Sequence, residues 1–139
     1  MNKLAIIYWS GTGNTQAMAE AVAEGAKKAG ADVSLLTCAE VNDISGFGAV
    51  ALGCPAMGAE ELEDGEFLPM LEGIEPALTG KKVALFGSYG WGDGEWMRTW
   101  EARCAEKGIA LAAASVMANE APDADALAAC EALGAELTK

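Results

Sequence analysis

Five apolar runs limit what this chain can fold into more than any other feature. Residues 4–9, 31–38, 48–54, 81–88 and 109–117 are nearly continuous hydrophobic stretches, not alternating ones. Strands of that kind are buried on both faces, as in a parallel sheet covered by helices. Helical stretches fall between them at residues 16–28, 66–78, 93–107 and 123–137. Lys27, Lys28 and Gly30 mark the end of the first helix, and Gly108 ends the third. Pro69 is expected to interrupt the second helix near its start, Asp93 to cap the third, and Pro122 to precede the fourth. Right-handed crossovers then give an α/β fold: a doubly wound five-stranded parallel sheet in the order 2-1-3-4-5, with helices on both faces. The 139 residues suffice for one domain, 1–139, and are too few for two ordinary ones.

Ligands of such sheets bind beyond the carboxyl ends of the strands, where the strand order reverses. Here that point lies between strands one and three, and three segments meet at it. The first is Ser10-Gly11-Thr12-Gly13-Asn14-Thr15, placed between strand one and a helix. Unpaired amides and the positive end of the helix dipole make such a turn an anion site. It lacks the GxxxxGK[ST] pattern, and no Lys or Arg lies between Lys3 and Lys27, so polyphosphate chemistry is excluded. The third glycine of the dinucleotide fingerprint is also missing. Neutral donors suit one terminal monophosphate. The competing reading is plain helix capping, for which Ser, Thr and Asn are favoured.

The second segment is Gly53-Cys54-Pro55-Ala56-Met57-Gly58-Ala59-Glu60-Glu61, and the third runs from Gly87 through Ser88, Tyr89, Gly90, Trp91 and Gly92 to Trp96. Trp96 and Trp100, four apart on a helix, belong to the core. Trp91, flanked by glycines, is either anchored inward or presented to a flat ligand. A mononucleotide with a large planar ring fits all three segments: phosphate on the first, ring against Met57 and Trp91. A phosphoacceptor receiver domain does not fit, because strand three ends in Cys54-Pro55 and strand one in Trp9-Ser10, without the carboxylates its chemistry needs.

Composition removes further classes. A net charge of −12 argues against nucleic acid, and the absence of histidine removes His-based catalysis and most metal chemistry. Cys38, Cys54, Cys104 and Cys130 form no CxxC pair and read as small buried residues. No apolar run is long enough to span a membrane, and no secretory leader is expected, which places the chain in the cytoplasm.

The three segments resemble those of flavodoxins, especially the short-chain type of anaerobic bacteria. The resemblance rests on Tyr8-Trp9-Ser10-Gly11-Thr12-Gly13-Asn14-Thr15, Gly53-Cys54-Pro55-Ala56-Met57-Gly58 and Gly87-Ser88-Tyr89-Gly90-Trp91-Gly92, and it extends over the whole chain in order. It implies non-covalent FMN and one-electron transfer between redox proteins. Ser10, Thr12, Asn14 and Thr15, with loop amides, would hold the phosphate. Met57 would lie on the inner side of the ring and Trp91 on the outer face. Glu60 would accept from the N3 edge, and Gly90 with neighbouring backbone would meet the pyrimidine carbonyls. Trp9, Gly11, Gly13, Pro55, Ala56, Ala59, Ser88, Tyr89 and Gly92 complete the expected cofactor set. Pro55 departs from relatives that place a serine hydroxyl there, so the phosphate would depend more on the first loop.

The family's redox switch is a peptide flip after strand three, and Gly58 would permit the positive φ it needs. Glu60, Glu61, Glu63, Asp64, Glu66, Asp93 and Glu95 surround the site, and no Lys or Arg occurs between Lys28 and Lys81. Their charge would push the second reduction step to low potential and make semiquinone/hydroquinone the working couple. The competing role for these carboxylates is solubility alone. The resemblance implies partners such as ferredoxin-dependent oxidoreductases with basic docking patches, met transiently and salt-sensitively by a monomer. The alternative is a small FMN-dependent quinone or nitro reductase on the same fold, against which a Trp91 stacked on the exposed ring face would stand.

Overall fold

The computed structural model describes residues 3–41, 43–57, 61–90 and 92–139. Five strands, β1 (Lys3–Tyr8), β2 (Asp32–Thr37), β3 (Ala49–Gly53), β4 (Lys82–Tyr89) and β5 (Val116–Asn119), pair in parallel in the order β2-β1-β3-β4-β5. Helices α1 (Asn14–Lys28), α2 (Phe67–Leu78), α3 (Glu95–Glu106) and α4 (Ala124–Glu136) alternate with them. The order and the layering are those the apolar runs imply. The central strands carry the densest runs, and all five residues of β3 are buried.

Successive side chains on a strand point to opposite faces, and the two faces differ in kind. Ala5, Ile7, Val50, Leu52, Val83 and Leu85 point toward α2 and α3, where Phe67, Leu71, Trp96 and Trp100 fill the layer. Trp96 and Trp100 are each 1% exposed, as their spacing implies. Leu4, Ile6, Ala49, Ala51, Ala84 and Phe86 point the other way, toward Met18, Val22, Ala23 and Ala26 of α1 and Leu133 of α4. That second layer is rich in alanine, so α1 and α4 come very close. A Cβ on Gly25 would stand 1.9 Å from the Glu131 carbonyl oxygen, and one on Gly134 2.0 Å from that of Val22. The four cysteines are free and buried. Burial pushes the thiols of Cys54 and Cys130 up to about 12 and that of Cys104 to about 11.

Several boundaries differ from expectation. α1 starts at Asn14, not at residue 16, because Gly13 takes a φ of 96° and turns the chain directly into the helix. Pro69 does not interrupt α2. It sits in the first turn, where its missing N–H would have had no helical partner. Asp93 does not cap α3. Gly94, at φ 93°, holds that position, and Asp93 pairs with Arg98 at 2.9 Å. β5 covers only the end of the run at 109–117. Before it, Leu111 makes a single bridge to Val83. Asp123 does cap α4, accepting from the Ala126 amide at 2.8 Å.

One ion pair joins the two helices of the aromatic layer. Glu75 of α2 is 5% exposed, and Arg103 of α3 donates to both its oxygens, from Nε at 2.6 Å and from an Nη at 2.8 Å. This ties the C-terminal part of α2 to that of α3.

Candidate functional site

The carboxyl ends of β1, β3 and β4 stand side by side, so the loops that leave them share one edge of the sheet. The Trp9 amide donates to the Gly53 carbonyl at 3.0 Å, Cys54 to Phe86 at 3.2 Å and Ala56 to Ser88 at 3.0 Å. These bonds carry the ladder one step past the strands and fix the roots of all three loops. Between them lies a cleft of about 320 Å³. Trp9, Gly11, Thr12 and Asn14 form one wall, Pro55, Ala56 and Met57 the next, and Ser88, Tyr89 and Gly90 the third.

On the first wall, Ser10 turns its hydroxyl back into its own loop. It accepts from the amides of Gly13 at 3.1 Å and Gln16 at 3.3 Å. The N-cap residue Gly13 has no side chain to do this, so Ser10 takes the part. The amides of Asn14 and Thr15 meet no acceptor among the described residues. Capping is therefore incomplete here: Ser10 satisfies two donors, and two others are left at the head of α1, as an anion site requires. Thr15 is 1% exposed, and its hydroxyl lies 3.4 Å from that of Ser88, which joins the first loop to the end of β4.

On the second wall, Met57 and Glu61 exchange two backbone hydrogen bonds, at 2.8 and 2.9 Å. Met57 is 38% exposed, far from the core position its type most often takes. Gly58, Ala59, Glu60 and Trp91 lie outside the described residues. On the third wall the Tyr89 ring leans on Trp96, with centroids 5.5 Å apart, and Trp96 Nε1 donates to the Cys54 carbonyl at 3.1 Å. Gly92 has a φ of 85°.

The acidic surroundings are less free than the sequence implies. Asp93 is paired with Arg98, whose hydrogen bond and charge hold its carboxyl below the usual range. Glu63 accepts from the amides of Gly65, Glu66 and Phe67 at 2.9, 2.8 and 2.7 Å, capping α2 from outside. Burial works against its ionisation, but those three amides outweigh it, and its pKa falls below the ordinary 4.5. A depressed carboxyl contributes stability above its unfolded pKa and loses it as pH falls through the folded one. Glu63→Ala is therefore expected to lower stability by about 1 kcal/mol at neutral pH, as loss of a cap does. The gap to wild type should close below pH 4.5, as urea denaturation at several pH values would show. A gap that persisted in acid would mean that the cap does not act through the carboxylate.

One residue of the cleft escaped the sequence reading. Glu120, at the end of β5, lines it with a φ of 57° and donates its amide to Tyr89 at 2.7 Å. A non-glycine residue in the left-handed region at a ligand edge is the kind of outlier that accompanies function, but nothing local in Asn119-Glu120-Ala121 announces it. A larger hollow, about 560 Å³, lies between α2 and α3. Its lining includes Glu61, Asp64, Arg103 and Glu106 and none of the residues at the head of α1.

An open parallel sheet with unpaired helix amides and a narrow cleft at its reversal point defines a mononucleotide-binding protein. The chain matches the family model described as flavodoxin over residues 6–134. It is 48% identical over 120 residues to a flavodoxin of Megasphaera elsdenii, covering 85% of this chain and 87% of that one. It is 46% identical over 122 residues to a flavodoxin of Clostridium beijerinckii, covering 86% and 88%. The solution structure of two-electron reduced Megasphaera elsdenii flavodoxin superposes with a TM-score of 0.88 at 45% identity, over 98% of this chain and 99% of that one. The chain belongs to the flavodoxin family. Its cofactor is FMN, and it carries electrons between redox proteins instead of turning over a substrate.

Proposed function

We propose that this chain, as a single 1–139 domain, is a low-potential carrier that moves one electron at a time on non-covalently bound FMN. The observation that carries the reading is the pair of unmatched amides at the head of α1, beside the cleft that Asn14, Met57 and Gly90 line. A phosphate at the amides and a ring between the second and third loops would use every wall. Ser10, Thr12, Asn14 and Thr15 would serve the phosphate end, with Gly11 and Gly13 leaving it room. Ser88 would act there through Thr15. Pro55, Ala56, Met57, Tyr89 and Gly90 would border the ring. Trp91, Glu60 and Gly58 would cover its outer face, meet its N3 edge and permit the backbone flip.

FMN supplies reversible one-electron chemistry; the protein sets how costly the second electron is. Glu120 is an exposed carboxylate lining the cleft, and Glu61, also exposed, is joined by its backbone to Met57 on the second wall. Each opposes added negative charge by roughly 1 kcal/mol in a water-like dielectric, and about 1.4 kcal/mol of a one-electron couple is about 60 mV. The lower couple, between the one- and two-electron reduced forms, would therefore be the working one. The same charge would draw a basic patch on a ferredoxin-dependent oxidoreductase and let it go again. Stepwise anaerobic reduction followed by absorbance, then mixing with such a partner at rising salt, tests this. Two separated steps and a transfer rate that falls with salt are expected. A protein that oxidises NAD(P)H directly at enzyme rates would be a reductase instead. The chain has, among the described residues, no helix long and apolar enough to cross a membrane, and we place it in the cytoplasm as a monomer.

A further inference from the structure

Trp9 joins the first loop to the N-terminal end of α2, and this inference rests on the reading of the cleft as an FMN site. Its indole covers Gly11, where a Cβ would stand 3.0 Å from Cη2 and 3.3 Å from Cζ3. The Nε1 of the same ring donates to Glu66 Oε1 at 3.1 Å, across 57 residues of chain. Glu66 is the N-cap residue of α2, yet its side chain makes no cap hydrogen bond. Glu63 has taken that duty with three amides, which leaves the Glu66 carboxylate for Trp9. The second loop is cross-tied between these points: Met57 pairs with Glu61, and the Glu63 amide donates to Cys54 Sγ at 3.4 Å.

We propose that Trp9 and Glu66 are positioning residues whose hydrogen bond fixes the spacing between the phosphate loop and the ring loop. FMN must reach both loops at once, so its affinity depends on that spacing. Riboflavin, which lacks the phosphate, needs only the ring loops. The brace therefore has a signature that general loss of structure does not share: it acts on the two-point ligand and spares the one-point ligand.

The test titrates FMN and riboflavin into the apoproteins of wild type, Trp9→Phe, Glu66→Ala and Glu66→Gln, following flavin fluorescence. Trp9→Phe keeps a ring over Gly11 and loses the donor. Both it and Glu66→Ala should weaken FMN by about 3- to 10-fold, the net worth of one partly exposed hydrogen bond, with riboflavin held near its wild-type affinity. Glu66→Gln keeps an oxygen acceptor and should bind FMN at least as well as wild type. Equal losses for FMN and riboflavin would overturn the proposal, since Trp9 would then be a simple ring contact. So would a Glu66→Gln variant as weak as Glu66→Ala, or no loss in any variant. A wild-type apoprotein that binds neither flavin would sink the parent reading itself; one that binds both keeps it whatever the variants do.

Discussion

Asn14→Asp is expected to stabilise the apoprotein and weaken FMN binding at once. Asn14 is the first residue of α1, and that first turn holds no acidic side chain. A carboxylate there complements the helix dipole by about 0.3–1 kcal/mol. The change is isosteric, so nothing need repack. The same carboxylate would share the helix head with the phosphate of FMN. At about 5 Å, two like charges repel by roughly 1–3 kcal/mol between the dielectric of water and that of a protein surface, a loss of about 5- to 150-fold in affinity. Riboflavin should be indifferent. Calorimetric melting of the apoprotein and parallel flavin titrations would read both halves. If FMN binding were unchanged, the phosphate would not lie at α1.

Gly134→Ala should produce the largest loss of stability. Helix propensity alone predicts a gain of about 1 kcal/mol. Space decides against it: the added Cβ would lie 2.0 Å from the Val22 carbonyl oxygen and 2.9 Å from the Ala26 nitrogen. Both obstacles are backbone, so the helices themselves must part, and the alanine layer beneath loses contact with them. About 3 kcal/mol is the expected cost for overpacking of this kind, a drop of roughly 10 °C in melting temperature for a chain of this size. Gly73→Ala is the control. Gly73 is an exposed residue inside α2 with nothing within 4 Å of a new Cβ, and there propensity should win by about 0.5–1 kcal/mol. Wild-type stability in Gly134→Ala would mean that α1 and α4 do not pack this closely.

Where the sequence spoke clearly, one force dominated. Val50, Ala51 and Leu52 have no polar neighbour to compete with burial, so β3 was plain. The run at 109–117 misled because Ala110, Ala112, Ala113 and Ala114 are apolar without favouring strands. Asp93 misled because a good cap residue can be claimed by a cation, here Arg98. The loops of the site were legible as loops, since glycine and hydroxyl patterns are local. Their linkage was not: Trp9 to Glu66, Thr15 to Ser88 and Glu120 to Tyr89 join residues that only the sheet brings together.

The unequal faces of the sheet give the molecule two kinds of anchorage. α1 meets α4 so closely that main chain stands against main chain at Gly25 and Gly134. α2 and α3 rest on indole and phenyl rings, with Phe67 and Trp100 edge to face at 84°. The first loop hands its chain to the close-packed side, while the second and third hand theirs to the ring-filled side. A cofactor seated across them would have its charged tail rooted in backbone packing and its ring end rooted in aromatic packing.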